Sequence, residues 1–123
     1  MADTNIATDE TVELIASNKV EGTAVYNRND ERLGTVYNLM IDKRAGQVEY
    51  AVLSFGGFLG MGNDYYPLPW DVLSYDEGVG GYVVDLDKQV LENAPHYTAG
   101  QEPAYDRAYR RQIYSHYGVE NPY

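Results

Sequence analysis

Between Thr23 and Leu86 the apolar residues come in short runs, each cut off by a cluster of turn formers, and this punctuation constrains the fold more than any other feature. No run there is long enough for a helix with one buried face, so the segment reads as short strands joined by tight turns. Thr23 to Tyr26 is the first strand, and Asn27-Arg28-Asn29-Asp30 is its polar turn. The return strand spans residues 33 to 42. Its apolar positions slip phase, from Leu33 to Val36 and on to Leu39 and Ile41. A strict period of two forbids that slip without a bulge or sharp bend, for which Gly34 is the natural place.

After the turn Lys43-Arg44-Ala45-Gly46, residues 47 to 55 form the strongest strand. From Tyr50 to Phe55 it is apolar on both faces except at Ser54, which predicts a central strand covered on both sides. A glycine-rich loop follows, then Tyr65-Tyr66-Pro67-Leu68-Pro69-Trp70. Two prolines cannot donate to a ladder, so this strand lies at an edge or breaks at a corner, and residues 71 to 75 continue it. The turn at residues 76 to 80 returns the chain into a partner strand, residues 81 to 86.

Beyond Leu86 the pattern becomes helical. Asp87 can cap a short helix over residues 88 to 93, stopped by Pro95. A second helix is predicted after Pro103, running from Ala104 to Tyr117 and ending at Gly118. Tyr105, Tyr109, Ile113 and Tyr117 recur every four residues and give it one apolar stripe. The fold class expected is mainly β: a small antiparallel β-barrel of about six short strands, with a short helix and a C-terminal helix appended. Residues 1–13 read as a flexible lead-in, 14–95 as the barrel domain, 96–102 as a linker and 103–123 as the helical appendage.

Four segments carry a family resemblance: Gly22 to Tyr26, Leu33 to Asp42, Tyr50 to Gly57, and Tyr66-Pro67-Leu68-Pro69-Trp70. Their order and spacing resemble the PRC-barrel, a small barrel found in the cytoplasmic part of the photosynthetic reaction-centre H subunit and in a ribosome-maturation factor. The glycine of the second strand, the acidic residue that closes it and the proline-bearing fourth strand all have counterparts here. The resemblance implies a domain that binds proteins, sometimes its own copies, and that performs no catalysis. The late helix lies outside the pattern.

Composition narrows the function classes. The 123 residues suit one domain with one core, and there is no cysteine for a disulfide or a thiolate. No apolar run is long enough to span a membrane and the first residues do not form a signal peptide, so the expected location is cytoplasmic. The net charge of −10 is uneven: residues 1–100 hold 6 Lys and Arg against 16 Asp and Glu, whereas residues 101–123 hold 3 of each. An acidic body repels the phosphate backbone, which argues against nucleic acid as a partner. Tyrosine is over-used, with 13 Tyr against 2 Phe and 1 Trp, and it suits half-exposed strands and interfaces.

No constellation of catalytic residues is present. The glycine-rich loop has neither phosphate-binding spacing nor a following Lys-Ser/Thr. His96 and His116 lie outside the barrel pattern with nothing to bring them together, and are expected to face solvent. The chain is therefore read as non-enzymatic, with no cofactor and no metal. Candidate partner-binding residues are Phe58, Leu59 and Met61, apolar in a loop where polar residues would be expected; they either plug the barrel end or form a contact patch. The second set is Tyr105, Tyr109, Ile113 and Tyr117 with Arg107, Arg110 and Arg111, which dock either on the chain's own barrel or on another chain. The leading expectation is a protein-binding or assembly module that forms a homodimer. One alternative is a small-molecule or metal sensor with a barrel-end pocket lined by Tyr66, Trp70 and Tyr82. A weaker one is RNA binding through the Arg and Tyr residues of the late helix.

Overall fold

The computed structural model describes residues 10–11, 13–55 and 64–119. A single helical turn, α1 (Ser17–Val20), leads into β1 (Ala24–Asn27), β2 (Arg32–Ile41), β3 (Val48–Phe55) and β4 (Asp64–Pro69). A 3-10 turn (Trp70–Val72) joins β4 to β5 (Leu73–Asp76), which is followed by β6 (Gly81–Val84), α2 (Lys88–Glu92), β7 (Tyr97–Thr98) and α3 (Arg107–Tyr117).

All seven strands belong to one sheet, in the order β5-β6-β1-β2-β3-β4-β7. This corrects the expected antiparallel barrel of about six strands in three ways. The ladder is not closed: β5 and β7 are its two edges. The extra strand is Tyr97–Thr98, which pairs with the otherwise free side of β4 from within the stretch read as a linker. And β1 pairs with β6 in parallel, Val25 beside Tyr82 and Asn27 beside Val84. The parallel pairing follows from the corner at Pro69. Successive strands from β1 to β4 reverse direction, but β4 and β5 run in the same sense, so β6 arrives aligned with β1. In a flat sheet β4 and β5 would lie about 24 Å apart, five strand spacings. The three residues between Pro69 and Leu73 bridge at most about 14 Å. The sheet is therefore strongly curled, although it does not close into a barrel.

Bulges produce the curl and settle the phase slip in β2. Leu33 is the extra residue against β1, between the pairs Val25–Gly34 and Tyr26–Arg32. Tyr37 is the extra residue against β3, between the pairs Val36–Leu53 and Asn38–Val52. Gly34, expected to mark a bend, stands beside the first bulge and has a second reason to be glycine: a Cβ there would lie 2.1 Å from the Ser54 carbonyl oxygen. The β1–β2 turn is organised by Asn27, whose Oδ1 accepts from the backbone N–H groups of Asn29 and Glu31 while its Nδ2 donates to the Glu31 carboxylate.

The concave face of the sheet holds the main core, with Val25, Leu33, Val36, Ala51, Leu53, Leu68 and Val84 buried together and Leu91 of α2 closing one end. The other face of β3 is also covered, as its two-sided apolar pattern requires. There Tyr50 packs with Ile113 and Tyr114 of α3, flanked by Met40, Tyr105, Tyr109 and Tyr117. α3 begins later than expected because Asp106 is its N-cap: the carboxylate accepts from the Tyr109 N–H at 2.9 Å. It ends at Gly118, whose φ of 67° lets the chain leave the helix. Among the described residues no helix is long and apolar enough to cross a membrane.

Candidate functional site

Tyrosine builds three distinct layers on this sheet. The first lies beneath α3. Tyr50 meets the rings of Tyr105 and Tyr114 at 5.6 and 5.7 Å, and Tyr105 meets Tyr109 at 5.4 Å edge-on. The stripe anticipated on the helix is thus laid on the chain's own sheet. Tyr114 donates to the Glu49 carboxylate at 3.1 Å, and Arg110 donates from Nε to the Tyr50 hydroxyl at 3.4 Å. The hydroxyls of Tyr109 and Tyr117 and the Asn38 side-chain oxygen are buried with no hydrogen-bond partner among the described residues. The Tyr97 hydroxyl comes near that of Tyr105, but not in hydrogen-bonding geometry. Burial holds these phenols in their neutral form, raising the pKa of Tyr105, Tyr114 and Tyr117 and pushing that of Tyr109 up to about 12.

The second layer is a row of rings on the outer surface. Tyr37, turned out by its bulge, packs against Tyr65 with centroids 4.5 Å apart, and Tyr65 packs against Tyr97 at 5.6 Å. The row crosses from β2 over β3 to β4 and ends on the short edge strand β7. Tyr37 is 51% exposed.

The third layer forms a corner where the 3-10 turn meets β5 and β6. Trp70 and Tyr75 each meet Tyr82 edge-on, at 5.6 and 5.2 Å. The three rings line a cavity of about 350 Å³ that is also lined by Glu10, Thr11, Glu13, Leu14 and Ile15. Two members of the anticipated pocket trio, Trp70 and Tyr82, do meet here. The third, Tyr66, is elsewhere, stacked on His96 at 4.7 Å and against Phe55.

The remaining anticipated residues separate as follows. Arg107 and Arg111 are exposed on the outer side of α3, whereas Arg110 turns inward over Tyr50. With Lys43 and Arg44 of the β2–β3 turn, Arg110 lines a cavity of about 450 Å³. In that turn Asp42 accepts from the N–H groups of Arg44 and Ala45, and these bonds hold its carboxyl below the usual range. His96 is exposed, whereas His116 is half-buried rather than solvent-facing. His96 donates to the Ala94 carbonyl and His116 to the Val90 carbonyl, and both line one shallow cavity. Among the described residues no three His, Asp or Glu gather as a metal site would. Phe58, Leu59 and Met61 lie outside the described residues.

A family model for the PRC-barrel domain matches residues 13–91. The chain belongs to the PRC-barrel domain family. None of the curated proteins compared with it matches. The matched stretch contains β1 to β6 and most of α2, so the PRC-barrel region supplies the aromatic corner, while β7 and α3 come from beyond it. The tyrosine row joins the two: Tyr37 and Tyr65 belong to the PRC-barrel region and Tyr97 to the added segment. Reasoning from sequence missed Tyr37, Tyr65, Tyr97 and Tyr75 as site residues. The signals for them were the excess of tyrosine and the phase slip after Val36, which has to leave one residue unpaired.

Proposed function

We propose that this PRC-barrel protein is a non-catalytic assembly module that pairs with a second copy of itself through its outer tyrosine row. The observation that carries the reading is the Tyr37–Tyr65–Tyr97 row, three rings packed in successive tilted pairs on a sheet face with one end half-exposed. Tyrosine is enriched where proteins dock, because its ring packs while its hydroxyl tolerates water. A bulge that turns Tyr37 outward is the usual device for re-aiming a side chain at a sheet surface. Charge supports a copy as the partner. The body carries the whole net charge of −10, whereas α3 presents Arg107 and Arg111 four residues apart on its exposed side. The acidic body of one copy complements that side of the other. A cytoplasmic location belongs to the same reading.

Light scattering over a concentration series tests it. The expected mass is twice the 13.8 kDa of the chain, shifting to the monomer in Tyr37→Asp and, at high salt, in the parent protein. A monomer at every concentration, or a dimer indifferent to Tyr37→Asp and to Arg107→Glu with Arg111→Glu, overturns it.

A further inference from the structure

We infer that the aromatic corner of Trp70, Tyr75 and Tyr82 is a binding site for a trimethylammonium group. The inference is independent of the assembly reading. The cavity of about 350 Å³ falls within the range of small-ligand sites. Three of the side chains that line it are aromatic rings set at steep angles, 63° between Trp70 and Tyr82 and 72° between Tyr75 and Tyr82, with Leu14, Ile15 and Leu73 beside them. Rings so arranged surround a volume instead of filling it by stacking. A cation within about 6 Å of several ring centroids is attracted by the negative faces of all of them. Tyr82 is buried and fixed at the back, and Tyr75 is 40% exposed at the mouth.

The rim supplies the opposite charge. Glu10 accepts the Tyr75 hydroxyl proton at 3.0 Å, which holds its carboxylate against the rings, and Glu13 lines the same cavity. No Lys or Arg is among the described residues that line it. Among organic cations the quaternary ammonium is best matched. It has no N–H donors that would have to find acceptors among ring faces, and its spread charge gives up water with little loss. The net charge of −10 draws such a cation to the surface before it reaches the cage.

Two sources carry this group: a free small molecule such as choline, or a trimethylated lysine on a partner protein. Trp70 is the sole tryptophan, so its fluorescence reports on the cage directly. Titration with choline is expected to change that emission saturably, beyond a sodium chloride series of equal ionic strength. The neutral isostere 3,3-dimethylbutanol is expected to bind about tenfold more weakly. Glu10→Gln and, separately, Tyr75→Leu are each expected to weaken choline several-fold while leaving the melting temperature near that of the parent. A peptide bearing trimethyllysine, set against the same peptide with unmodified lysine, separates the sources: binding well above that of choline assigns the site to a partner's side chain, and binding no better than choline assigns it to a free ligand. The inference is overturned if neither trimethylammonium probe moves the emission beyond the salt control, if the neutral isostere matches choline, or if both variants bind choline as the parent does.

Discussion

The two faces of the one sheet are built from different chemistry. The concave face is filled chiefly by Val25, Leu33, Val36, Leu53, Leu68 and Val84, side chains with no polar atom to satisfy, joined by two tyrosines, Tyr66 and Tyr82. The convex face is closed by α3 through Tyr50, Tyr105, Tyr109, Tyr114 and Tyr117, with Ile113 the aliphatic exception. Each aliphatic side chain keeps the full benefit of leaving water, whereas a buried hydroxyl without a partner forfeits about 1–3 kcal/mol. The Tyr109 and Tyr117 hydroxyls are in that position. The concave face thus defines the fold, and the convex cover is a weaker layer laid over it.

The largest effect expected is at Gly34. A methyl group there collides with the Ser54 carbonyl, so Gly34→Ala should part β2 from β3 and abolish the cooperative thermal transition. An unchanged melting curve would show that the two central strands can separate at little cost. Next is a matched pair of truncations, Leu53→Ala on the concave face and Ile113→Ala on α3, at sites 1% and 0% exposed. Each removes about 2–5 kcal/mol of packing. Leu53→Ala should lower the urea midpoint of the whole protein, while Ile113→Ala should raise amide exchange in α3 and leave the strands protected. Equal exchange in helix and sheet after Ile113→Ala would mean that the two faces unfold as one unit.

Alkali offers a third contrast. Phenols whose folded pKa lies above the ordinary 10.0 bind their proton more tightly in the folded state. Their contribution is complete below pH 10 and is lost as pH rises toward the value of about 12 for Tyr109, so α3 should detach across that window. Tyrosinate absorbance and helical circular dichroism should change together there, before the sheet signal does. The smallest effect expected is a gain: Tyr117→Phe removes an orphan hydroxyl and should stabilise α3 by about 1 kcal/mol, seen as slower amide exchange in the helix.

Local pattern carried much of this architecture. The two-sided apolar run from Tyr50 to Phe55 indicated a strand covered on both sides, and the slip between Leu33 and Leu39 indicated a bulge. Gly118 marked the end of α3. Pairing between distant segments was not legible, because period and turn chemistry describe neighbours in the chain only. The parallel contact of β1 with β6 depends on β4 passing its corner without reversing. β7 is two residues long and gives no periodic signal. Of the anticipated pocket, Trp70 and Tyr82 were legible as aromatic residues near a turn. Tyr75 and Glu10 were not, since 65 residues separate the two partners of that hydrogen bond.

The parallel contact also orders the assembly of the chain in time. The hairpins β1–β2, β2–β3 and β5–β6 join near neighbours and close quickly. Pairing Val25 with Tyr82 instead has to wait for almost the whole family domain to be synthesised. On the ribosome β1 therefore emerges with one flank unpaired and stays so until β6 follows. That interval, more than anything in the finished fold, is when this chain is open to pairing with the wrong strand.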